Sequence, residues 1–151
     1  MQISIHVEGL KHLQQKLKVT ADRLAHLQPY WQLVGLYVQR QTIRERFNKE
    51  QSPEGQKWKP LSPATIRRRK KHHKKGSMKI IQDTGELRHS IAYEAGNNSV
   101  RIGSKLKYAR THQFGRGNIP ARPFLGVTES EKQYITSMFR QYLKHHVLGG
   151  G

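Results

Sequence analysis

The sequence predicts an α+β fold: a small, mostly antiparallel β-sheet packed with two long N-terminal helices and one C-terminal helix, with a long basic loop between them. Leucines recur at helical spacing from residue 10 to residue 27. Short alternating segments flank the turn Gly96-Asn97-Asn98, and a second apolar face of helical period closes the chain. A length of 151 residues fits one core, since a domain of this size buries roughly 68–70% of the surface its unfolded chain exposes.

The elements follow in order. Ile3, Ile5 and Val7 alternate with polar positions, a strand pattern unlike the continuous apolar region of a signal peptide, and Gly9 turns the chain. Leu10, Leu13, Leu17, Leu24 and Leu27 then share one helical face. Pro29 sits where a second helix opens, in the first turn that has no N–H bond to lose. Leu33, Leu36, Tyr37, Ile43 and Phe47 continue the helical period, and Arg40, Arg44 and Arg46 ride on the other side. Two such helices are expected to form an antiparallel pair, or the second to pack on the sheet.

From Asn48 to Pro60 the chain turns polar, with Pro53, Gly55 and Pro60, so a loop is expected with Trp58 as its anchor. Ser62-Pro63 reads as a cap followed by proline in the first helical position, opening a short helix through Arg69. Thr84 to Ser90 is expected to make one or two helical turns, capped by Asp83 or Thr84. Ser90–Glu94 and Ser99–Ser104 should form a hairpin, and Lys105–Phe114 a short helix. Tyr108 to Gly126 joins the aromatic anchors Tyr108, Phe114 and Phe124 to the bends Gly115, Gly117, Pro120 and Pro123, which reads as a shaped contact surface. Thr128 to His146 closes as an amphipathic helix capped by Thr128 or Ser130. The expected organisation is one domain over 1–148, with 67–79 a flexible basic insertion and 149–151 a disordered tail.

Composition narrows the partners. Hydrophobic residues are 34% of the chain, so the core is thin and part of the chain is expected to order against a neighbour. Twenty-eight Lys and Arg against ten Asp and Glu leave a net charge of +18, which draws the protein toward polyanions. Membrane is the weakest such partner, because the longest apolar stretch, Tyr30 to Val38, is broken by Gln32 and too short to span. The chain has no Cys, which removes disulfides and thiolate metal sites and fits a reducing cytosol.

The run from Arg67 to Lys75, RRRKKHHKK, carries seven permanent positive charges in nine residues and faces no core. Arg67, Arg68, Arg69, Lys70, Lys71, Lys74 and Lys75 are therefore the candidate contacts to DNA or another polyanion, strong, salt-sensitive and blind to sequence. Aromatics do not interleave with these charges, which argues against a base-stacking single-strand binder.

Catalytic groupings are poorly supported. Asp83-Thr84-Gly85 matches the aspartic-protease triplet, but Glu86 stands where a small residue belongs and no second element completes the dyad. The pairs His72-His73 and His145-His146 point apart on helix and strand, and neither they nor His112 sit in an HxxxH spacing, so surface histidines are expected, with no metal and no cofactor. Ten acidic residues make a multi-carboxylate nuclease site hard to assemble.

Several spaced motifs carry a likeness: Pro53-x-Gly55-x-x-Trp58, Leu61-x-x-x-Thr65, Asp83-Thr84-Gly85-x-Leu87, Val100-x-Ile102-Gly103, Tyr108-Ala109, His112-Gln113-Phe114-Gly115, and Pro120-Ala121-Arg122-Pro123-Phe124-Leu125-Gly126. In order and spacing they resemble the virion morphogenesis and tail-completion proteins of Mu-like and P2-like tailed phages, with a heavier density of Lys and Arg after Thr65. The resemblance implies a non-enzymatic subunit of the virion, made in the host cytoplasm, that forms a ring, with a hexamer expected. The ring would sit at the neck or head-proximal end of the tail, among portal-side, neck and tail-tube proteins, with double-stranded DNA in its channel. It also marks Trp58, Asp83, Thr84, Gly85, Leu87, Tyr108, His112, Gln113, Phe114, Gly115, Ala121, Arg122, Pro123 and Phe124 as interface or structural residues. A free-standing, sequence-nonspecific DNA-binding protein acting through the basic run is the alternative.

Overall fold

The computed structural model describes residues 10–72 and 77–149. The strand expected over residues 1 to 7, Lys74 and Lys75 of the basic run, and Gly150 and Gly151 lie outside the described residues. The element order is α1 (Leu10–Ala25), α2 (Gln28–Gln41), α3 (Pro63–His72), α4 (Glu86–His89), β1 (Ala92–Ala95), β2 (Val100–Gly103), α5 (Ala109–Phe114) and α6 (Glu129–Tyr142). The architecture is α+β, as the periodicities require.

Helix α2 does not stop where its α-helical hydrogen bonds end. It runs on as a π-helical turn, Thr42–Phe47, in which the Asn48 N–H donates to the Ile43 carbonyl five residues back at 3.1 Å. Helix α6 ends in the same way over Leu143–Leu148. Its start is a capping box: Thr128 Oγ1 accepts from the Glu131 N–H, and the Glu131 carboxylate accepts from the Thr128 N–H. Thr128 is the cap the sequence suggested; Glu131 was not foreseen.

Strands β1 and β2 pair antiparallel, Ala92 opposite Gly103 and Ala95 opposite Val100, so the expected hairpin is present. Of the two arrangements open to α2, it takes the second and packs on this hairpin. The approach is close because residue 35 is glycine; a Cβ there would stand 2.3 Å from a ring carbon of Tyr93. On its other side α2 meets α6, where the Tyr30 hydroxyl donates to the Ile135 carbonyl at 3.0 Å and the Tyr30 and Phe139 rings lie 4.9 Å apart.

Two apolar clusters result. One holds Phe47, Trp58, Ile81, Leu87, Ile91, Ala109 and Phe124; the other is Tyr30, Val34 and Val38 with the apolar face of α6. Ile102 of β2 packs against both, so the hairpin joins them. Phe47 and Phe124 are fully buried, and each contributes about 1.5–3 kcal/mol by removal from water. Between the clusters Arg46 pairs with Glu131 at 2.7 Å, tying the π-helical end of α2 to the start of α6.

Helix α1 stands apart. Its Arg23 guanidinium donates to the Val147 carbonyl at 3.2 Å, but Leu13, Leu17 and Leu24 are 54%, 61% and 42% exposed. Among the described residues the leucine face that predicted the helix is thus largely uncovered.

Candidate functional site

The motif residues converge on one cleft of about 710 Å³. Helix α3 forms one wall with Thr65, Arg68 and Arg69. The turn Asp83-Thr84-Gly85-Glu86 forms the second, and Tyr108, His112 and the stretch Asn118–Pro120 the third, with Ile81 and Leu87 also lining it. Residues scattered over some sixty positions of sequence thus share one surface. Their spacing carried the likeness, but only the fold shows where they meet.

Each wall has a local cause. Ser62 Oγ accepts from the Thr65 N–H at 3.2 Å, the expected cap of α3. The helix then runs to His72, three residues past Arg69 where the sequence reading ended it, so more of the basic run is helical than expected. On a helix the cations cannot all face water. Arg67, Arg68, Lys70 and Lys71 are exposed, whereas Arg69 is buried, at 5% exposure. Its Nη1 donates to the Ser77 and Lys79 carbonyls at 2.7 and 2.8 Å, and its Nε lies 3.4 Å from the Asp83 carboxylate. A residue assigned from composition to a polyanion instead clamps the segment on the far side of the basic run.

That segment is bent. Ile81 has φ of 50°, the left-handed region that a β-branched side chain rarely enters. The conformation is held from several sides: the Ile80 N–H donates to the Glu50 carboxylate at 2.6 Å, and Gln82 Nε2 to the Phe47 carbonyl at 2.8 Å. The bend brings Asp83 to Arg69. Gly85, with φ of 78°, takes the cap position of α4, and Thr84 Oγ1 just before it accepts from the Glu86 N–H at 3.3 Å.

The third wall depends on buried hydrogen bonds. Arg122, 6% exposed, donates from Nε to the Lys59 carbonyl at 2.8 Å and from Nη2 to the Pro60 carbonyl at 2.9 Å. Its backbone N–H donates to the His112 carbonyl at 2.7 Å. Gln113 staples the chain behind it: Oε1 accepts from the Phe124 and Leu125 N–H groups at 3.0 Å each, and Nε2 donates to the Leu125 carbonyl at 2.9 Å. Gly115, with φ of 76°, allows the return of this segment, since a Cβ there would meet the Ala121 nitrogen at 2.9 Å. Trp58 Nε1 donates to the Pro123 carbonyl at 2.8 Å, and Trp58 and Phe124 both lie in the core against Phe47.

The motif residues therefore divide. Trp58, Gln113, Gly115, Pro123 and Phe124 build the support, whereas Asp83, Thr84, Gly85, Leu87, Tyr108, His112 and Arg122 line the cleft. Ala121 is exposed, and Phe114 is 71% exposed beside a shallower depression lined also by Lys107, Arg110 and Arg116. Those three cations were missed. Lys107 and Arg110 were visible at helical spacing with Phe114, but no run of charge marked them.

Electrostatically the cleft favours an anion. Burial, and then the neighbouring Arg122 and Arg69, hold the His112 imidazole below its ordinary value, so it is neutral at pH 7. Burial, and then Arg69, lower Arg122 as well. Burial and the hydrogen bond its hydroxyl donates to Glu86 raise Tyr108. His112 Nδ1 is buried with no hydrogen-bond partner among the described residues. No described helix is long and apolar enough to cross a membrane.

Aromatic and guanidinium side chains thus brace the loops of this fold, while Leu13, Leu17, Leu24 and Phe114 stay exposed. The profile of the phage virion morphogenesis family matches residues 8–144, and the chain belongs to that family of structural virion proteins. It is 30% identical over 131 residues to the Mu-like prophage FluMu G protein 1 of Haemophilus influenzae, covering 87% of this chain and 88% of that protein. It is also 28% identical over 110 residues to the putative capsid assembly protein G of Escherichia phage Mu, covering 66% of this chain and 69% of that one. No solved structure matches.

Proposed function

We propose that this protein is a non-enzymatic tail-completion subunit that forms a ring at the head-proximal end of the phage tail, supports head-tail joining and lets DNA pass. Its place is the virion neck, after synthesis in the host cytoplasm, and its neighbours are copies of itself and the neck, portal-side and tail-tube proteins. The uncovered leucine face of α1 carries this reading. Three leucines each 42% or more exposed are apolar area that a neighbouring subunit would bury, and the exposed Phe114 adds a second adhesive point. Multi-angle light scattering on purified protein, and electron microscopy under assembly conditions, test the ring. Replacing Leu13, Leu17 and Leu24 together by Gln is expected to leave the fold and remove the ring. A wild-type chain that stays monomeric in both settings would refute the reading.

The exposed Arg67, Arg68, Lys70 and Lys71 on α3 favour a second role, sequence-blind contact with DNA phosphates. Charge reversal at these positions should abolish duplex binding and spare self-association. Loss of both would argue that the helix is an assembly contact instead.

A further inference from the structure

The cleft contains more than bracing requires. Two guanidiniums over nine-tenths buried, Arg69 and Arg122, line it together. The hydrogen bonds of Arg122 run from Nε and Nη2 to backbone carbonyls, so its Nη1 is left over from them. Among the described lining residues the cations are Lys59, Arg68, Arg69 and Arg122 and the anions Asp83 and Glu86. Burial and mutual repulsion already work against the charge on Arg122 and against a proton on His112. An added negative group relieves both. The uncharged lining is mixed: Pro60, Leu61, Ile81, Leu87, Ile119 and Pro120 are apolar, beside the polar Ser62, Thr65, Thr84 and Asn118.

We propose that this cleft binds an extended acidic segment of a partner protein, one Asp or Glu carboxylate meeting Arg122 and the apolar neighbours of that residue resting on Leu61, Ile81 and Ile119. Planar guanidinium recognises a carboxylate through paired N–H donors, and the bond is strongest where water is displaced. The apolar lining distinguishes a peptide from DNA, whose phosphate backbone brings no apolar side chains and whose duplex reaches exposed cations such as those on the outer face of α3. The chain's own charge of +18 gives long-range attraction for an acidic partner. This site needs no self-association, so it stands apart from the ring.

The test uses the full chain, labelled with nitrogen-15 and followed by two-dimensional NMR. The probes are acetyl-Leu-Asp-Leu-amide, its Asn counterpart, inorganic phosphate, and a short DNA duplex. The acidic peptide is expected to give saturable shifts at Arg122, His112 and Tyr108 with a millimolar Kd, and the Asn peptide to bind roughly tenfold more weakly, the equivalent of one charge-assisted hydrogen bond. Ile119→Glu, on a side chain 44% exposed, is expected to retain the fold and abolish the shifts by placing a carboxylate at the cleft. Arg122→Lys tests the fork, and Ile119→Glu decides the matter if that variant does not fold. Equal binding of the two peptides, or none, would overturn the proposal. So would phosphate reproducing the shifts at the same concentration, or the duplex displacing the peptide.

Discussion

The buried pair of Arg46 and Glu131 offers the sharpest test of how this thin core is held together. Their side chains are 3% and 9% exposed, and the Arg46 guanidinium meets both carboxylate oxygens at 2.7 Å. Glu131→Gln keeps the acceptor that completes the capping box but removes the charge, leaving Arg46 buried without its counterion. Breaking such a pair from one side costs about 3–5 kcal/mol, and the retained amide oxygen places this variant near the lower end. Glu131→Ala also loses the box, a further cost of about 1 kcal/mol. Pairing Glu131→Gln with Arg46→Met removes the stranded charge and should recover a large part of the loss. Urea unfolding followed by the fluorescence of Trp31 and Trp58, repeated at several concentrations to separate association from folding, measures all four proteins. If Glu131→Gln costs less than about 1 kcal/mol, Arg46 is solvated and the reasoning fails.

Further outcomes follow from the same geometry. Gly35→Ala should lose about 1–3 kcal/mol by overpacking, because its methyl must displace the Tyr93 ring from β1; an unchanged urea midpoint would show that the ring swings away freely. Gln113→Leu strands two backbone N–H groups and one carbonyl, so a loss of about 2 kcal/mol or more is expected, with early proteolysis near Gly115; a stability within 0.5 kcal/mol of wild type, roughly the range of an ordinary surface substitution, would refute the staple. His112 has a folded pKa lowered by burial and by Arg122 and Arg69, so its contribution is complete above about pH 6.5 and fades as pH falls through that value. His112→Gln should flatten stability in that window. For Glu131, burial acts upward but the Arg46 and Thr128 hydrogen bonds outweigh it, so that contribution is lost only below about pH 4.3, and Glu131→Gln should remove that acid limb alone.

Local chemistry was legible wherever the period of the chain matched the period of an element. The leucines of α1, the apolar face of α6, the Ser62 and Thr128 caps and the hairpin around Gly96 depend on neighbours within a few residues, and propensity and spacing suffice for those. The motif spacings also carried the family, because they mark positions where a bend, a stacked ring or a guanidinium is required. What those residues do was less legible. Phe124, read as an aromatic of a contact surface, is core, and Arg69, read as one cation of a run, is buried against Asp83.

Charge counting treats every Lys and Arg in a run alike, whereas a helix gives each its own direction, and α3 turns one of them inward. The Arg46–Glu131 pair spans 85 positions, and the Arg122 bonds to the Lys59 and Pro60 carbonyls span 63 and 62; no local pattern announces such partners. The sequence by itself determined the helices, the hairpin, the Ser62 and Thr128 caps, the excess of positive charge and the kinship. Tertiary structure decided which cations are buried, which leucines remain uncovered, and that the scattered motifs enclose one cleft, because burial and long-range pairing are properties of chain segments brought together in space.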